Sequence, residues 1–140
     1  MEQTTSYGIS IKVALPYEEA VRCTREELAN EGFGILTEID VAATFRKKLG
    51  TDFRPYIILG ACNPSLAYRA LSTDRDIGLL LPCNLVVYAA DEPGTSVVAA
   101  LDPVAALELA RNASVRPLAE EVRERLERVL GALRRFSAPA

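Results

Sequence analysis

The feature that most constrains the fold is an apolar run from Ile77 to Ala90, which reads IGLLLPCNLVVYAA. Pro82 and Asn84 interrupt it, and it is shorter than the roughly 20 residues that a membrane helix needs. Its residues do not alternate between apolar and polar, so both faces of this segment require burial. The run therefore predicts a long central strand, kinked or bulged at Pro82, and no membrane span.

A strand that is buried on both sides needs a cover on each face of its sheet. Two long helices predicted elsewhere in the chain can cover one face. The other face is left for two short inserted helices or for a second subunit. We therefore predict a homodimer.

The remaining segments predict the order strand, helix, four strands, helix. Strands are indicated by YGISIKVAL, FGILTEIDV, FRPYIILGA and TSVVAAL. In FGILTEIDV, one face of the predicted strand consists of Phe33, Ile35, Thr37 and Ile39. Apolar residues at helical spacing predict a long helix after Pro16 and another with a buried stripe from Leu118 to Leu133. Asp40 and Asn63 stand where N-caps belong, each before a short helix.

These elements predict an α+β fold. It consists of a mostly antiparallel five-stranded sheet backed by two long helices, with two short inserted helices, because hairpins and short links join neighbouring antiparallel strands. The length of 140 residues fits a single domain over residues 1–140. We expect its core to span about residues 6–135, with frayed tails at residues 1–5 and 136–140.

Charge and cysteine usage narrow the classes of function. The net charge of −3 does not attract phosphate backbones, so nucleic acid is not an expected partner. Three cysteines without a signal-like start indicate a reducing, cytoplasmic location. Because the chain has no histidine, Ser-His and Cys-His catalysis and a histidine zinc site are excluded.

Two Cys-Asn pairs form the main candidate site. Cys62 and Asn63 end the third strand, and Cys83 and Asn84 begin the fourth, so antiparallel pairing of these strands brings the two cysteines close together. Cys62 also precedes a helix start, which lowers the pKa of a thiol. This arrangement suits a reactive thiol, a redox pair or a soft-metal site for an ion such as Cu(I), although no cofactor is required.

A purely structural explanation of the same residues stays open. Free cysteines are commonly buried and pack like small apolar residues. Asn63 has a capping role, and Asn84 can satisfy backbone groups left unpaired by Pro82.

A second polar group lies at the start of the third strand. Arg54 and Tyr56 stand there, close to Glu38 and Asp40 at the end of the second strand. Arg54 can bind a carboxylate or a phosphate, or form an ion pair with Glu38, Asp40 or Asp52.

Four segments resemble a known family. GFGILTEIDV, FRPYIILGACNP, IGLLLPCNLVVY and the LDP before the last helix are similar, in order and spacing, to the family called domain of unknown function 302. The resemblance spans about residues 7–133. It implies a fold like that of the TATA-binding protein, with strand, helix, four strands and helix, and it implies no established activity.

The sequence thus predicts a small cytoplasmic α+β protein, a homodimeric ligand-binding or interaction module with a candidate thiol site. Its small-molecule ligand is unknown, and the candidate binding residues are Arg54, Tyr56, Cys62, Asn63, Cys83 and Asn84. The alternative is a thiol-dependent enzyme, redox or nucleophilic, that uses Cys62 with Cys83. The two hypotheses differ in the pKa of the thiols, which a nucleophile requires to be low.

Overall fold

The described part of the chain forms one antiparallel sheet with helices. The structure is a computed structural model, and it describes residues 5–138. The strands are β1 (Gly8–Val13), β2 (Gly34–Asp40), β3 (Tyr56–Cys62), β4 (Cys83–Ala89) and β5 (Ser96–Leu101). They lie in the order β1-β5-β4-β3-β2, so β4 is central, as the apolar run predicts.

Two long helices and several short ones complete the predicted α+β fold. The long helices are α1 (Tyr17–Asn30) and α5 (Arg116–Leu133), and the short ones are α2 (Val41–Leu49), α3 (Pro64–Thr73) and α4 (Pro103–Leu107). The predicted caps are confirmed, because Asp40 accepts a hydrogen bond from the backbone N of Ala43 and Asn63 accepts one from Leu66. In the part of the chain that the structure describes, no helix is long and apolar enough to cross a membrane.

One face of the sheet, the covered face, packs against α1 and α5. Side chains alternate along each strand, and on this face Leu59, Leu85, Val87 and Val98 are fully buried. The two helices bury their apolar stripes on them, with Ala20, Cys23 and Leu28 from α1 and Leu126, Val129, Leu130 and Leu133 from α5. This is the main core, and all five strands or their flanks touch it.

A second, smaller core lies beyond the end of the sheet. It joins α3, α4 and the first half of α5 through buried residues that include Leu66, Ala70, Leu107 and Leu118. Val122 of α5 packs against both cores, so the two meet beside it.

The opposite face of the sheet, the open face, presents the residues that alternate with the covered ones. Its central members are half-buried, and neither core cluster contains any of them: Tyr56, Ile58, Val86, Tyr88, Val97, Ala99 and Leu101. The short helices, one of the two covers expected for this face, leave its centre open. Helix α3 packs in the second core, and α2 reaches only the margin of the face, where Phe45 contacts Phe53 and Phe53 contacts Tyr56.

The predicted length of the central strand is wrong. Residues Arg75–Leu80 form a 3-10 helix, a cis peptide bond joins Leu81 to Pro82, and β4 begins only at Cys83. The side chain of Asp74 starts this turn by accepting a hydrogen bond from the backbone N of Asp76. Of the apolar residues before Pro82, Ile77 is buried in the second core and Leu80 and Leu81 pack against it, whereas Leu79 is 88% exposed.

A bulge in β2 changes which of its residues share a face of the sheet, so the predicted face of this strand is wrong in part. The pairing of β2 with β3 shifts between Ile35 and Thr37, so Leu36 is an extra residue and is 65% exposed. Ile35 consequently pairs beside Ala61 of the covered face, whereas Thr37 pairs with Gly60 of the open face. Simple alternation had placed Ile35 and Thr37 together.

The end of the chain is also better held than predicted. Ser137 forms an antiparallel bridge with Val13, and the backbone N of Ala138 donates to the carbonyl of Lys12 at 2.9 Å. Phe136 packs against the main core. Residues 136–138 therefore pair with the C-terminal end of β1, and they are not a frayed tail. The predicted tails at 1–4 and 139–140 lie outside the described residues.

Candidate functional site

The structure brings Cys62 and Cys83 to the same end of the sheet. Cys62 is the last residue of β3, Cys83 is the first of β4, and Cys83 pairs with Ala61, the immediate neighbour of Cys62. Both thiols are free. Both residues line one cleft, which we call the thiol cleft.

The thiol cleft lies where the two cores meet. Its volume is about 40 Å³. Almost all of its lining is apolar and comes from the end of the sheet, α3, α4 and α5: Phe33, Ala61, Cys62, Asn63, Leu66, Ala67, Ala70, Leu81, Pro82, Cys83, Pro103, Leu107, Leu118 and Val122. Asn63 contributes the one amide side chain, and no charged residue is among them. The cleft therefore suits an uncharged group.

Burial keeps both thiols protonated at neutral pH. It raises the pKa of Cys83 to about 11, with a further contribution from the nearby Cys62, and it raises the pKa of Cys62 as well. The predicted lowering of the Cys62 pKa by the following helix is thus outweighed, because a thiolate loses its hydration in an apolar cleft. The thiolate is the nucleophile, so this environment opposes thiol catalysis.

Asn63 lines the cleft and also caps the helix that follows it. Its Oδ1 accepts from the backbone N of Leu66 at 3.3 Å and so starts α3, with Pro64 in the first turn. Its Nδ2 lies 3.2 Å from the position that a Cβ on Gly32 would occupy. Gly32 has a φ of +82°, which favours glycine in its own right.

The other three predicted residues lie away from the thiol cleft. Arg54 forms an ion pair with Asp91 at 3.0 Å and donates to the carbonyl of Ala89 at 3.0 Å. The three predicted partners of Arg54 are otherwise engaged: Glu38 pairs with Arg25, Asp40 caps α2, and Asp52 pairs with Arg46. Because β4 runs antiparallel to β3, Asp91, which follows β4, lies beside the start of β3. The two residues are far apart in the sequence, so the sequence alone did not indicate this ion pair.

Tyr56 and Asn84 lie on the open face. The ring of Tyr56 stacks on that of Tyr88, with centroids 5.2 Å apart and planes 5° apart. Burial is the main cause of the raised pKa of Tyr56, and the neighbouring Tyr88 and Tyr7 raise it further. Asn84 is exposed and pairs across the strands with Gly60, so it does not share the cleft with Cys83.

Several residues of these surfaces are not among the predicted site residues. Leu66, Leu118 and Val122 line the thiol cleft, and their only sequence signal is the apolar stripe of a helix. Tyr7 is 63% exposed and borders the open face beside Tyr56 and Tyr88. Strand register alone brings these tyrosines together.

Comparison with known proteins places the chain in a family. The family described as "Domain of unknown function DUF302" matches residues 9–133. The chain belongs to the DUF302 family. Its fold is similar to the crystal structure of an uncharacterised conserved DUF302 protein from Bacillus stearothermophilus, at 30% identity and a TM-score of 0.84, over 93% of this chain and 100% of that chain. No curated protein matches the sequence. The resemblance seen in the sequence is thereby confirmed, and the family has no known function.

Proposed function

We propose that this DUF302 protein is a binding module that holds a small uncharged, apolar group in the thiol cleft. The observation that carries the proposal is the apolar lining where the two cores meet, to which three of the six predicted site residues contribute. Binding sites of this kind combine apolar walls with few polar groups.

The size and opening of the cleft define what it can take. A volume of about 40 Å³ admits only a few heavy atoms, so the occupant is a small molecule or the end of a longer apolar group. Cys62 is half-buried and Cys83 is buried, which puts Cys62 at the mouth and Cys83 deeper inside. Neutral thiols offer polarisable sulfur to such a group without imposing a charge.

The presence of both sulfurs in one cleft supports a second candidate, a site for Cu(I) or another soft metal ion. Two thiolates suit this ion, and binding would release the protons that burial holds on both thiols. A redox or nucleophilic enzyme is supported less well, since the pKa of each thiol is raised.

Three free cysteines also support the proposed cytoplasmic location, because a reducing compartment preserves free thiols.

The proposal is tested by filling the cleft. Ala67 lines it, and Ala67→Leu adds three carbons there; Ala29→Leu makes the same change on an exposed position of α1. Xenon and short alcohols serve as apolar probes, and the methyl signals of Leu66, Leu118 and Val122 are followed by NMR. We expect saturable shifts in the native protein and in Ala29→Leu, and their loss in Ala67→Leu.

Native mass spectrometry of freshly purified protein adds a direct measurement. A co-purifying organic molecule that disappears in Ala67→Leu would support the first candidate. A mass increase that matches copper and disappears in a Cys62→Ser, Cys83→Ser variant would favour the second. Equal probe shifts in both leucine variants would contradict binding in the cleft.

A further inference from the structure

The open face of the sheet is apolar and lies outside both cores. Val86, at the middle of the central strand, has Ile58 of β3 on one side and Ala99 of β5 on the other. These residues are half-buried within one chain, so each keeps part of its apolar surface in water. From this surface we propose that a second copy of the chain packs on the open face, and that the two copies form a two-fold symmetric dimer.

The area of the face is sufficient for a dimer. Five strands about 4.8 Å apart, each six or seven residues long, give a face of roughly 24 by 20 Å, and its β1 edge, where Ser10 is buried, is already covered within the chain. Two such faces bury about 1,000 Å² in contact, the level that a specific interface must reach. Within the face, Ile39 of β2 is 48% exposed, and at its margin the exposed Tyr7, at 63%, adds further apolar surface.

The charges around the face permit two copies to meet. Among the residues that alternation assigns to the open face, Lys12 is the charged one, and its ammonium pairs with Glu92. At the margin, Arg54 pairs with Asp91. Because each cation has its anion within the same chain, two identical faces bring together neutral surfaces. A nucleic acid would need unpaired cations on such a face.

Two-fold symmetry makes a specific prediction about position. The central row of the face runs Ser10, Ala99, Val86, Ile58 and Ile39. Val86 stands on the middle strand of this row, so the greatest overlap of two faces puts the symmetry axis close to it. In a symmetric interface a residue near the axis meets its own copy. The stacked Tyr56–Tyr88 pair of each copy then lies to one side of the axis.

Sheet packing is compatible with the shape of this surface. Two sheets pack about 10 Å apart with interleaved side chains. The face alternates larger residues such as Ile58 and Val86 with small ones such as Ala99 and Gly60. Ala99 offers only one methyl group, so the side chains of a second copy find room over it, whereas Thr37 and Pro82 of the same chain fill the space over Gly60.

The test compares Val86→Arg with Leu79→Arg by light scattering at micromolar concentration. Leu79 is 88% exposed in the 3-10 helix and lies outside the open face, so it controls for the added charge. We expect twice the chain mass of 15.2 kDa for the native protein and for Leu79→Arg, and 15.2 kDa for Val86→Arg. Circular dichroism verifies folding, and Ala99→Lys replaces Val86→Arg if that variant does not fold.

Mixing complementary variants tests the position of the axis. Val86→Arg and Val86→Glu should each be monomeric, and together they should form a mixed dimer that native mass spectrometry separates by mass. A monomeric native protein would overturn the proposal and leave the face to a different molecule. A dimer that survives Val86→Arg would overturn it too, because its interface would lie elsewhere.

Discussion

The two faces of this sheet are made from the same five strands, yet they differ in how they are buried. On β4, Leu85 is fully buried against α1 and α5, while its neighbour Val86 is half-buried on the open face. Both residues are apolar. The comparison shows that apolar composition alone does not reveal which face the chain covers by itself, and that one covered face supplies the main core.

The largest effect should come from shortening neighbouring residues on the two faces. Leu85→Ala removes a side chain with no exposure and leaves a cavity, so we expect the free energy of unfolding to fall by about 2–5 kcal/mol. Val86→Ala removes half-exposed methyl groups and should cost about 1 kcal/mol or less in dilute solution. Urea denaturation of both variants measures the difference.

Measurements at several protein concentrations should distinguish the effects of these two variants further. If a second copy covers the open face, the loss in Val86→Ala grows as concentration rises, because association stabilises the native protein more than the variant. The loss in Leu85→Ala should change little. Equal losses for both variants at low concentration would mean that the faces are not distinct.

The buried thiol of Cys83 should make the free energy of unfolding depend on pH. The pKa of Cys83 rises from its ordinary value of 9.0 to about 11 in the folded chain. The folded state therefore holds this proton more tightly, and its stabilising contribution is complete below pH 9.0 and lost as the pH approaches 11. The loss is about 3 kcal/mol.

The measurement is the unfolding free energy of the native protein and of Cys83→Ala across this pH range. We expect the native protein to lose more stability than the variant as the pH rises. Parallel curves would show that Cys83 titrates as it does in the unfolded chain, and would remove the argument that the cleft keeps its thiols neutral.

A third prediction concerns close packing at the margin of the open face. A Cβ on Gly60 would lie 2.1 Å from Oγ1 of Thr37 and 2.8 Å from Cγ of Pro82. We expect Gly60→Ala to destabilise the protein by about 1–3 kcal/mol through this overlap. Thermal unfolding measures the change.

Gly131→Ala is the matched control for Gly60→Ala. Gly131 lies in α5, and nothing stands within 4 Å of the position that a Cβ would occupy there, so alanine should stabilise the helix by about 0.5–1 kcal/mol. If Gly60→Ala had an effect as favourable as Gly131→Ala, the contact of β2 and Pro82 over Gly60 would be incorrect.

Local sequence patterns predicted much of the fold for identifiable reasons. Asp40 and Asn63 are capping residues directly before helical segments, and both caps are present. The patterns gave a wrong prediction where contacts with residues distant in the sequence decide the structure of a segment. Ile77 belongs to the second core, which forms only when α3, α4 and α5 meet, so its run of apolar neighbours was read as part of a strand.

The candidate site was predicted in part. Antiparallel pairing of two consecutive strands correctly anticipated that Cys62 and Cys83 lie near each other, because this contact depends only on neighbouring elements. The assignment of Arg54 to Glu38, Asp40 or Asp52 was wrong. Its partner, Asp91, lies in the turn after β4, and strand register decides which charges meet there.

The sequence by itself determined the α+β class, the central place of β4 and the family of the chain, because these follow from local periodicity and from motif order. Only the tertiary structure decided that Tyr56 and Asn84 lie on the open face, away from the thiol cleft, and that both thiols are buried enough to stay protonated. Burial depends on everything packed around a residue, whereas periodicity depends on its neighbours along the chain. For that reason the elements could be predicted from the sequence and the grouping of the site residues could not.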